Sequence, residues 1–364
     1  MGTLTKDRGI TAKGARAMFN ASFITRRRRL IYPKFCQVRD SYVETDFTRN
    51  IGTVPQLEEV IDDVNTPLLS DFPDYSQTWT NRLFKARLSI SRSLMEFDQV
   101  GQTRTLIHSL AARLANFPDL LMITRLLSGT MTCYDGQNLI SATHPAPQGG
   151  TVQSNWMNGT TPVNFCTNAP VETVARQLQT DFRNAITRMR SFRDDKNQPW
   201  HSDDIRPEDL IILCSPLLWK PFQQALMSKQ IFATDNIYVG DVREVVASNY
   251  LPITGASAAD WWLCHVGEMA RPIQLSRFRR IRTEEIQDAF DPKTLSFEGE
   301  EVTVTPDDIA ELASAMLETN MGHQGSNADA DVIENDRFLI SARWRGEVFG
   351  GEWKNIVFVD NDIA

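Results

Sequence analysis

The segment from Asp71 to Phe97, DFPDYSQTWTNRLFKARLSISRSLMEF, most constrains what this chain can fold into. Phe84, Ala86, Leu88 and Ile90 alternate with Lys85, Arg87, Ser89 and Ser91. Successive strand residues point to opposite faces, so this alternation predicts a sheet with one apolar and one basic face. The whole segment reads as the two strands of a long hairpin. An isolated hairpin is only marginally stable in water, so this one needs a further partner in its own chain or another copy.

Length and charge set the frame around that hairpin. A chain of 364 residues with 41% hydrophobic content buries a sizeable core and is expected to form about two domains. Its net charge of -8 excludes a general nucleic-acid binder. The charge is unevenly spread: residues 1–50 hold 11 basic against 4 acidic side chains, and residues 281–364 hold 6 basic against 19 acidic ones. One end of a copy is therefore expected to attract the other end of a neighbour. Five cysteines, Cys36, Cys133, Cys166, Cys214 and Cys264, lie far apart with no CxxC pair, which predicts reduced thiols and no zinc site. No run approaches the roughly 20 apolar residues of a membrane span, and no secretory signal is expected.

Residues 1–50 read as an extended basic arm. Within FITRRRRLIYPKF, Arg26, Arg27, Arg28 and Arg29 form a cationic block suited to phosphate or to acidic groups on a partner, and sequence alone does not separate these. In TRTLIHSLAARLANFPDLLMITRLL, Leu106, Leu110, Leu114, Phe117 and Leu121 recur at helical spacing, predicting a long helix that Pro118 kinks or restarts. His108 on that segment reads as a helix-flank residue.

CYDGQNLISATHP, Cys133 to Pro145, holds a thiol, a carboxylate, a hydroxyl and an imidazole. Asp135-Gly136 predicts a two-residue hairpin turn with Cys133 facing Asn138. If the strand continues straight, His144 lies about 20 Å from Cys133, too far for a nucleophilic dyad. The long loop from Ser141 to about Pro170 is expected to carry function or pack against a partner.

A second unit follows. VETVARQLQTDFRNAITRMRSF places Val174, Leu178, Phe182, Ile186 and Met189 on one helix face. DLIILC reads as a buried strand, PLLWKPFQQALM as a helix with Pro216 near its start, and VREVVAS and DWWLCHV as two more strands, so residues 170–280 predict a compact α/β unit. LSFEGEEVTVT and RFLISARWRGEVF read as returning strands. TPDDIAELASAMLETN between them reads as a helix capped by Thr305. Asp329, Asp331 and Asp336 lack the spacing of a calcium loop. His201 beside Asp203 and Asp204 reads as a turn or cap, and His265 as a packed strand residue. No phosphate loop, HExxH, GxSxG or dinucleotide fingerprint is present.

The order of these parts resembles the major head protein of Mu-type tailed bacteriophages, a Hong Kong 97-type capsid fold. The resemblance is carried by IGTVPQLEEV, by YDGQNLISATHP followed by Ser154-Asn155, by DLIILCSPLLWKPF and by the RFLISARWRGEVFGGEW ending. It implies an α+β subunit whose residues 1–50 are an N-terminal arm and 60–98 an extended hairpin loop. Residues 51–59, 99–165 and 281–364 would form a peripheral domain with a long spine helix, and 166–280 an α/β axial domain. The acidic segment 300–335 departs from the pattern and reads as an insertion.

What the resemblance implies for function is a non-enzymatic shell protein of the virion, without cofactors or metal, that forms hexamers and pentamers around phage DNA and assembles in the host cytoplasm. Expected partners are other copies, portal, scaffold or decoration proteins, and packaged double-stranded DNA held non-specifically, with no membrane. Arg26, Arg27, Arg28, Arg29, Lys85 and Arg87 are the expected inter-subunit or DNA contacts. An uncleaved N-terminus is expected. Two alternatives stand beside this: a nucleic-acid-binding protein acting through the basic arm, and a hydrolase using Cys133, Cys214 or Ser215.

Overall fold

The structure, a computed structural model, describes residues 12–51, 74–91, 101–147, 149–201, 205–267, 271–278, 296–297, 300–301, 317–320 and 337–361. The helices are α1 (Ala12–Arg27), α2 (Tyr32–Phe35), α3 (Gln102–Ala115), α4 (Phe117–Ser128), α5 (Val163–Asn168), α6 (Val171–Arg190) and α7 (Pro216–Leu226). In the first half of the chain the strands are β1 (Cys36–Ser41), β2 (Thr45–Ile51), β3 (Asp74–Thr80), β4 (Arg82–Ser91) and β5 (Trp156–Asn158). In the second half they are β6 (Leu210–Cys214), β7 (Gln230–Ile231), β8 (Thr234–Asp235), β9 (Glu244–Ala247), β10 (Trp261–His265), β11 (Ile273–Phe278), β12 (Ser296–Phe297), β13 (Glu300–Glu301), β14 (Leu317–Asn320), β15 (Arg337–Gly350) and β16 (Ile356–Asp360). Of the helix expected over 305–320, residues 317–320 form strand β14 instead, paired with β15; residues 305–316, and Asp329, Asp331, Asp336, Asp203 and Asp204, lie outside the described residues.

Two sheets organise the chain. The first runs β1-β11-β15-β14, with β4 on the other edge of β15. β15 hands its partners over at Gly346, which registers with Arg82 of β4 and Arg277 of β11. A Cβ at Gly346 would sit 2.2 Å from the Ser276 carbonyl oxygen, so only glycine permits this close approach. The second sheet runs β5-β16-β10-β6-β9. Its strand LIILC is fully buried, as its unbroken apolar run predicts; α7 packs beside it and α6 on β16 and β10. The C-terminal strand β16 and the early strand β5 both enter this sheet, whereas β11 joins the other one. The α/β unit therefore reaches beyond the expected 166–280 at both ends and gives up β11.

The expected hairpin is a correction. β3 and β4 are separated by Asn81 alone and do not pair with each other. β3 pairs with β2 in an antiparallel ribbon over residues 45–51 and 74–80, while β4 pairs with β15. The extended ribbon therefore starts near Thr45 rather than at 60, and β4 belongs to the sheet. Phe84, Leu88 and Ile90 turn inward and Lys85, Arg87 and Ser89 outward, as the alternation predicts, whereas Ala86, expected on the inner face, is exposed.

The arm is a second correction. Residues 12–27 are helical, and Phe19, Phe23 and Ile24 are buried against the body, chiefly on α3. The phenyl rings of Phe19 and Phe23, one turn apart, stack with centroids 6.2 Å apart. Cations at the helix C-terminus suit its dipole, so Arg26 and Arg27 end the helix rather than keeping the chain extended.

The spine breaks into α3 and α4 at Asn116, with Pro118 in the first turn of α4, as expected. Leu114 and, on α4, Leu121 are buried as expected, but earlier on α3 the buried positions are Ile107 and Ala111 rather than Leu106 and Leu110. Leu106 is 39% exposed and Leu110 only half-buried. On α6, Val174, Leu178, Phe182 and Met189 are buried as predicted, together with Ala185, and Ile186 is only partly covered.

Candidate functional site

The chemistry-bearing residues gather around the turn after Cys133, but as a structural knot. Cys133 N–H donates to Gln137 O at 2.8 Å, Gly136 N–H to Cys133 O at 3.1 Å, and Leu139 N–H to Met131 O at 2.7 Å. Tyr134 and Asp135 therefore occupy the centre of the turn, and Gly136 follows in the left-handed region at φ 78°. This is a three-residue hairpin with a glycine bulge, so Cys133 faces Gln137 and Thr132 faces Asn138, one place from the expected register.

The chain then curls back instead of running straight. His144 becomes fully buried, its Nδ1 2.7 Å from Asp135 Oδ2 and its ring stacked on Trp353. Asn155 closes the loop: its side-chain NH₂ donates to Leu139 O and Trp353 O, and its Oδ1 accepts from Ser141 N–H. The sequence signal for this closure was present in His144-Pro145 and Ser154-Asn155, yet which groups they meet depends on a C-terminal segment about 200 residues away.

A second turn has the same geometry. Asp194 N–H donates to Gln198 O at 2.9 Å, Asn197 N–H to Asp194 O at 3.2 Å, and Trp200 N–H to Phe192 O at 2.9 Å. Asn197 takes the left-handed position that Gly136 fills in the first turn, at φ 64°. Both turns rest on Trp353, the first through His144 and the second through Phe192, whose ring meets the indole edge-on at 5.4 Å. Lys354 sits between them, 4.2 Å from the Trp200 ring centre. Its Nζ donates to Tyr134 Oη at 2.9 Å and to Glu352 Oε1 at 3.2 Å. Burial and the Glu352 carboxylate push the Tyr134 phenol well above its ordinary value.

These groups do not form a nucleophilic centre. Burial pushes the Cys133, Cys214 and Cys264 thiols upward, and half-buried Cys166 to about 11. Ser215 is buried and donates to Ala258 O at 2.6 Å. His201 and His265 face each other edge-on at 4.9 Å. Among the described residues no cluster of His, Cys, Asp or Glu could hold a metal ion, and no helix is long and apolar enough to cross a membrane.

The expected contact residues fall on two surfaces. Arg26 to Arg29 end α1 and begin the link to α2. Arg26 Nε donates to Asn116 Oδ1 at 3.0 Å, while Arg28 and Arg29 are exposed. The link is fixed from below by buried Asp119, which accepts from the Ile31 and Tyr32 amides at 3.1 and 2.7 Å. Lys85 and Arg87 stand on the outer face of β4, where Lys85 registers with Arg343. The structure does not merge these two groups of cations into one network.

The β2–β3 ribbon supplies a third surface. Its inner face is pinned by Gln77, which donates to Gly350 O and Thr132 O, and by Trp79 stacked on Phe349 at 4.1 Å. Its outer face leaves Phe47 62% exposed, beside exposed Tyr42 and Val43 at its base. Asn81 locks the crossing from ribbon to sheet: its NH₂ donates to Ser41 Oγ and Val43 O, and its Oδ1 accepts from Ser276 Oγ at 2.7 Å. The importance of Asn81 and of buried Glu347, which binds Arg125 and Arg82, was not legible in the sequence.

The fold is that of tailed-phage capsid proteins, the Hong Kong 97-like fold. It matches a subunit of the mature capsid of bacteriophage PhiM1 with a TM-score of 0.53 and 11% identity, covering 91% of this chain and 87% of that one. It matches a subunit of the native GTA particle capsid with a TM-score of 0.50 and 9% identity, over 99% of this chain and 94% of that one. A bacteriophage JBD30 capsid chain is 18% identical with a TM-score of 0.48, over 60% of this chain and 90% of that one. Residues 10–170 match the family model described as Mu-like prophage major head subunit gpT, so the resemblance to Mu-type head proteins holds over that part. The fold, with the family match over residues 10–170, supports a capsid shell protein, and neither alternative function is favoured. No curated protein sequence matches the chain.

Proposed function

We propose that copies of this chain form hexamers and pentamers, closing into an icosahedral head around phage DNA, and that the chain carries out no chemical step. The observation that carries this reading is the β2–β3 ribbon. A two-stranded ribbon that exposes Phe47, with Tyr42 and Val43 at its base, gains stability by covering those groups on another copy. The α/β unit with β5-β16-β10-β6-β9 is assigned to the axis of the hexamer or pentamer, and the sheet around β15 to its periphery. Arg26 to Arg29, Lys85 and Arg87 are assigned to acidic groups of neighbouring copies or to packaged DNA, contacts that weaken as salt rises.

Assembly in the host cytoplasm, with portal, scaffold or decoration proteins as partners, belongs to the same proposal. Its test is expression of the chain alone, followed by sedimentation and electron microscopy of the fast-sedimenting fraction. Shells, tubes or capsomer rings support the reading. A chain that stays monomeric at all concentrations and salt conditions overturns unaided self-assembly.

A further inference from the structure

Beside the edge strand β4 lies an open groove of about 640 Å³ between β4 and α3. Its floor is Phe84, Leu88, Leu110, Leu114, Phe117 and Trp344, and Leu106 stands half in solvent at its lip. Phe117 packs on Phe84 at 4.7 Å and on Trp344 at 5.3 Å, so the floor is a formed aromatic surface. The rim is cationic, with Lys85, Arg87 and Arg113 all lining it. The side chains of Lys85 and Arg87 make no hydrogen bond or ion pair among the described residues. The displaced first part of the α3 stripe explains the opening, because Leu106 and Leu110 point to the groove while Ile107 and Ala111 point to the core.

An apolar floor with an all-cationic rim selects a segment that is both apolar and acidic. The chain itself carries one. From Thr294 to Asp336 there are eleven carboxylates and no lysine or arginine. Within that run Ile309, Leu312 and Met316 recur at spacings of three and four, among Asp307, Asp308 and Glu311. We propose that the β4–α3 groove is a docking site for an acidic amphipathic segment, and that its occupant in the shell is the run 305–316 of a neighbouring copy, immediately before β14. The inference rests on the shell reading. It gives the acidic segment, for which the Mu-type resemblance supplies no role, the task of joining copies.

The test places a benzoyl-phenylalanine photocrosslinker at Leu106 of the full-length chain and irradiates assembled particles made from a mixture of isotopically heavy and light copies. The expected product is a mixed heavy–light crosslink from position 106 to a residue within 305–316. The double variant Lys85→Glu/Arg87→Glu should reduce its yield at least about fivefold, and Asp307→Lys/Asp308→Lys in the same chain should restore it. Crosslinks confined to one copy, crosslinks to any other segment or protein, or no crosslink in intact particles would each overturn the proposal. Failure to form particles at all would instead count against the shell reading, so the two failures are separable.

Discussion

The imidazole of His144 lies flat on the indole of Trp353, ring centroids 3.9 Å apart and planes 2° from parallel, while its Nδ1 meets Asp135 at 2.7 Å. One histidine thereby ties the first turn to the C-terminal segment, and both groups it touches are buried. His144→Ala would leave Asp135 Oδ2 without its partner, while Oδ1 keeps the Gln137 amide, and open a gap against Trp353. The expected loss is about 3 kcal/mol of unfolding free energy, read by urea denaturation. Asp135→Asn keeps a hydrogen-bonding group in place and should lose about 1 kcal/mol. A loss below about 0.5 kcal/mol for His144→Ala would show that the knot contributes little.

Asn81 holds the ribbon to the sheet through five side-chain and backbone partners, Ser41, Val43, Ser276, Glu44 and Arg345. Asn81→Ala removes the side-chain bonds and leaves Ser276 Oγ, which is buried, without that acceptor. About 2–3 kcal/mol should be lost. Hydrogen exchange should locate the effect in β2 and β3, with β6 and β10 unchanged. Uniform exchange across both sheets would argue against a local lock.

The fold was legible where short-range pattern decides the outcome. LIILC is buried because every residue is apolar, the break at Asn116–Pro118 follows from the missing amide of proline, and Val174, Leu178, Phe182 and Met189 share one face at helical spacing. It was not legible where a distant partner decides. The alternation in β4 predicts which side chains turn inward, but it cannot say that the pairing strand is Arg337–Gly346 rather than its neighbour β3. In α1, the arginine run masked the Phe19, Phe23 and Ile24 face that makes the segment helical and packed. The Asp135–His144 pair was missed because a straight strand was assumed where Asn155 bends the chain back. The one-place shift in the first part of the α3 stripe arose from weighting Leu106 and Leu110 above Ile107 and Ala111, a choice that only the packing of α1 settles.

His201 and His265 make the folded state sensitive to acid. Burial, then the neighbouring His265, lowers His201 to about 4, and burial lowers His265 as well. A histidine whose folded value lies below its unfolded 6.5 binds its proton more readily in the unfolded chain. The contribution of these two histidines is therefore constant between about pH 7 and 8 and is lost as pH drops from about 6.5 towards 4, by an amount on the order of 2–3 kcal/mol. Denaturation midpoints measured across that range should flatten in His201→Gln/His265→Gln. An unchanged slope in the double variant would assign the acid sensitivity to carboxylates instead.

The β7–β8 hairpin turns through Phe232 and Ala233, both in the left-handed region at φ 51° and 59°. Two-residue turns of this type favour Asn-Gly because a Cβ at positive φ clashes with the backbone. The strain is retained with Phe232 44% exposed and the Arg176 guanidinium 5.5 Å above its ring, so the turn displays an aromatic side chain instead of relaxing. Phe232→Asn/Ala233→Gly should stabilise the isolated chain by about 1–2 kcal/mol. If the displayed phenyl ring makes a contact between copies, the same variant should sediment as fewer assembled particles at equal concentration. Greater stability with undiminished assembly would leave the strain without a role between copies, and unchanged stability would show that the neighbours of the turn, not its own residues, hold it in this conformation.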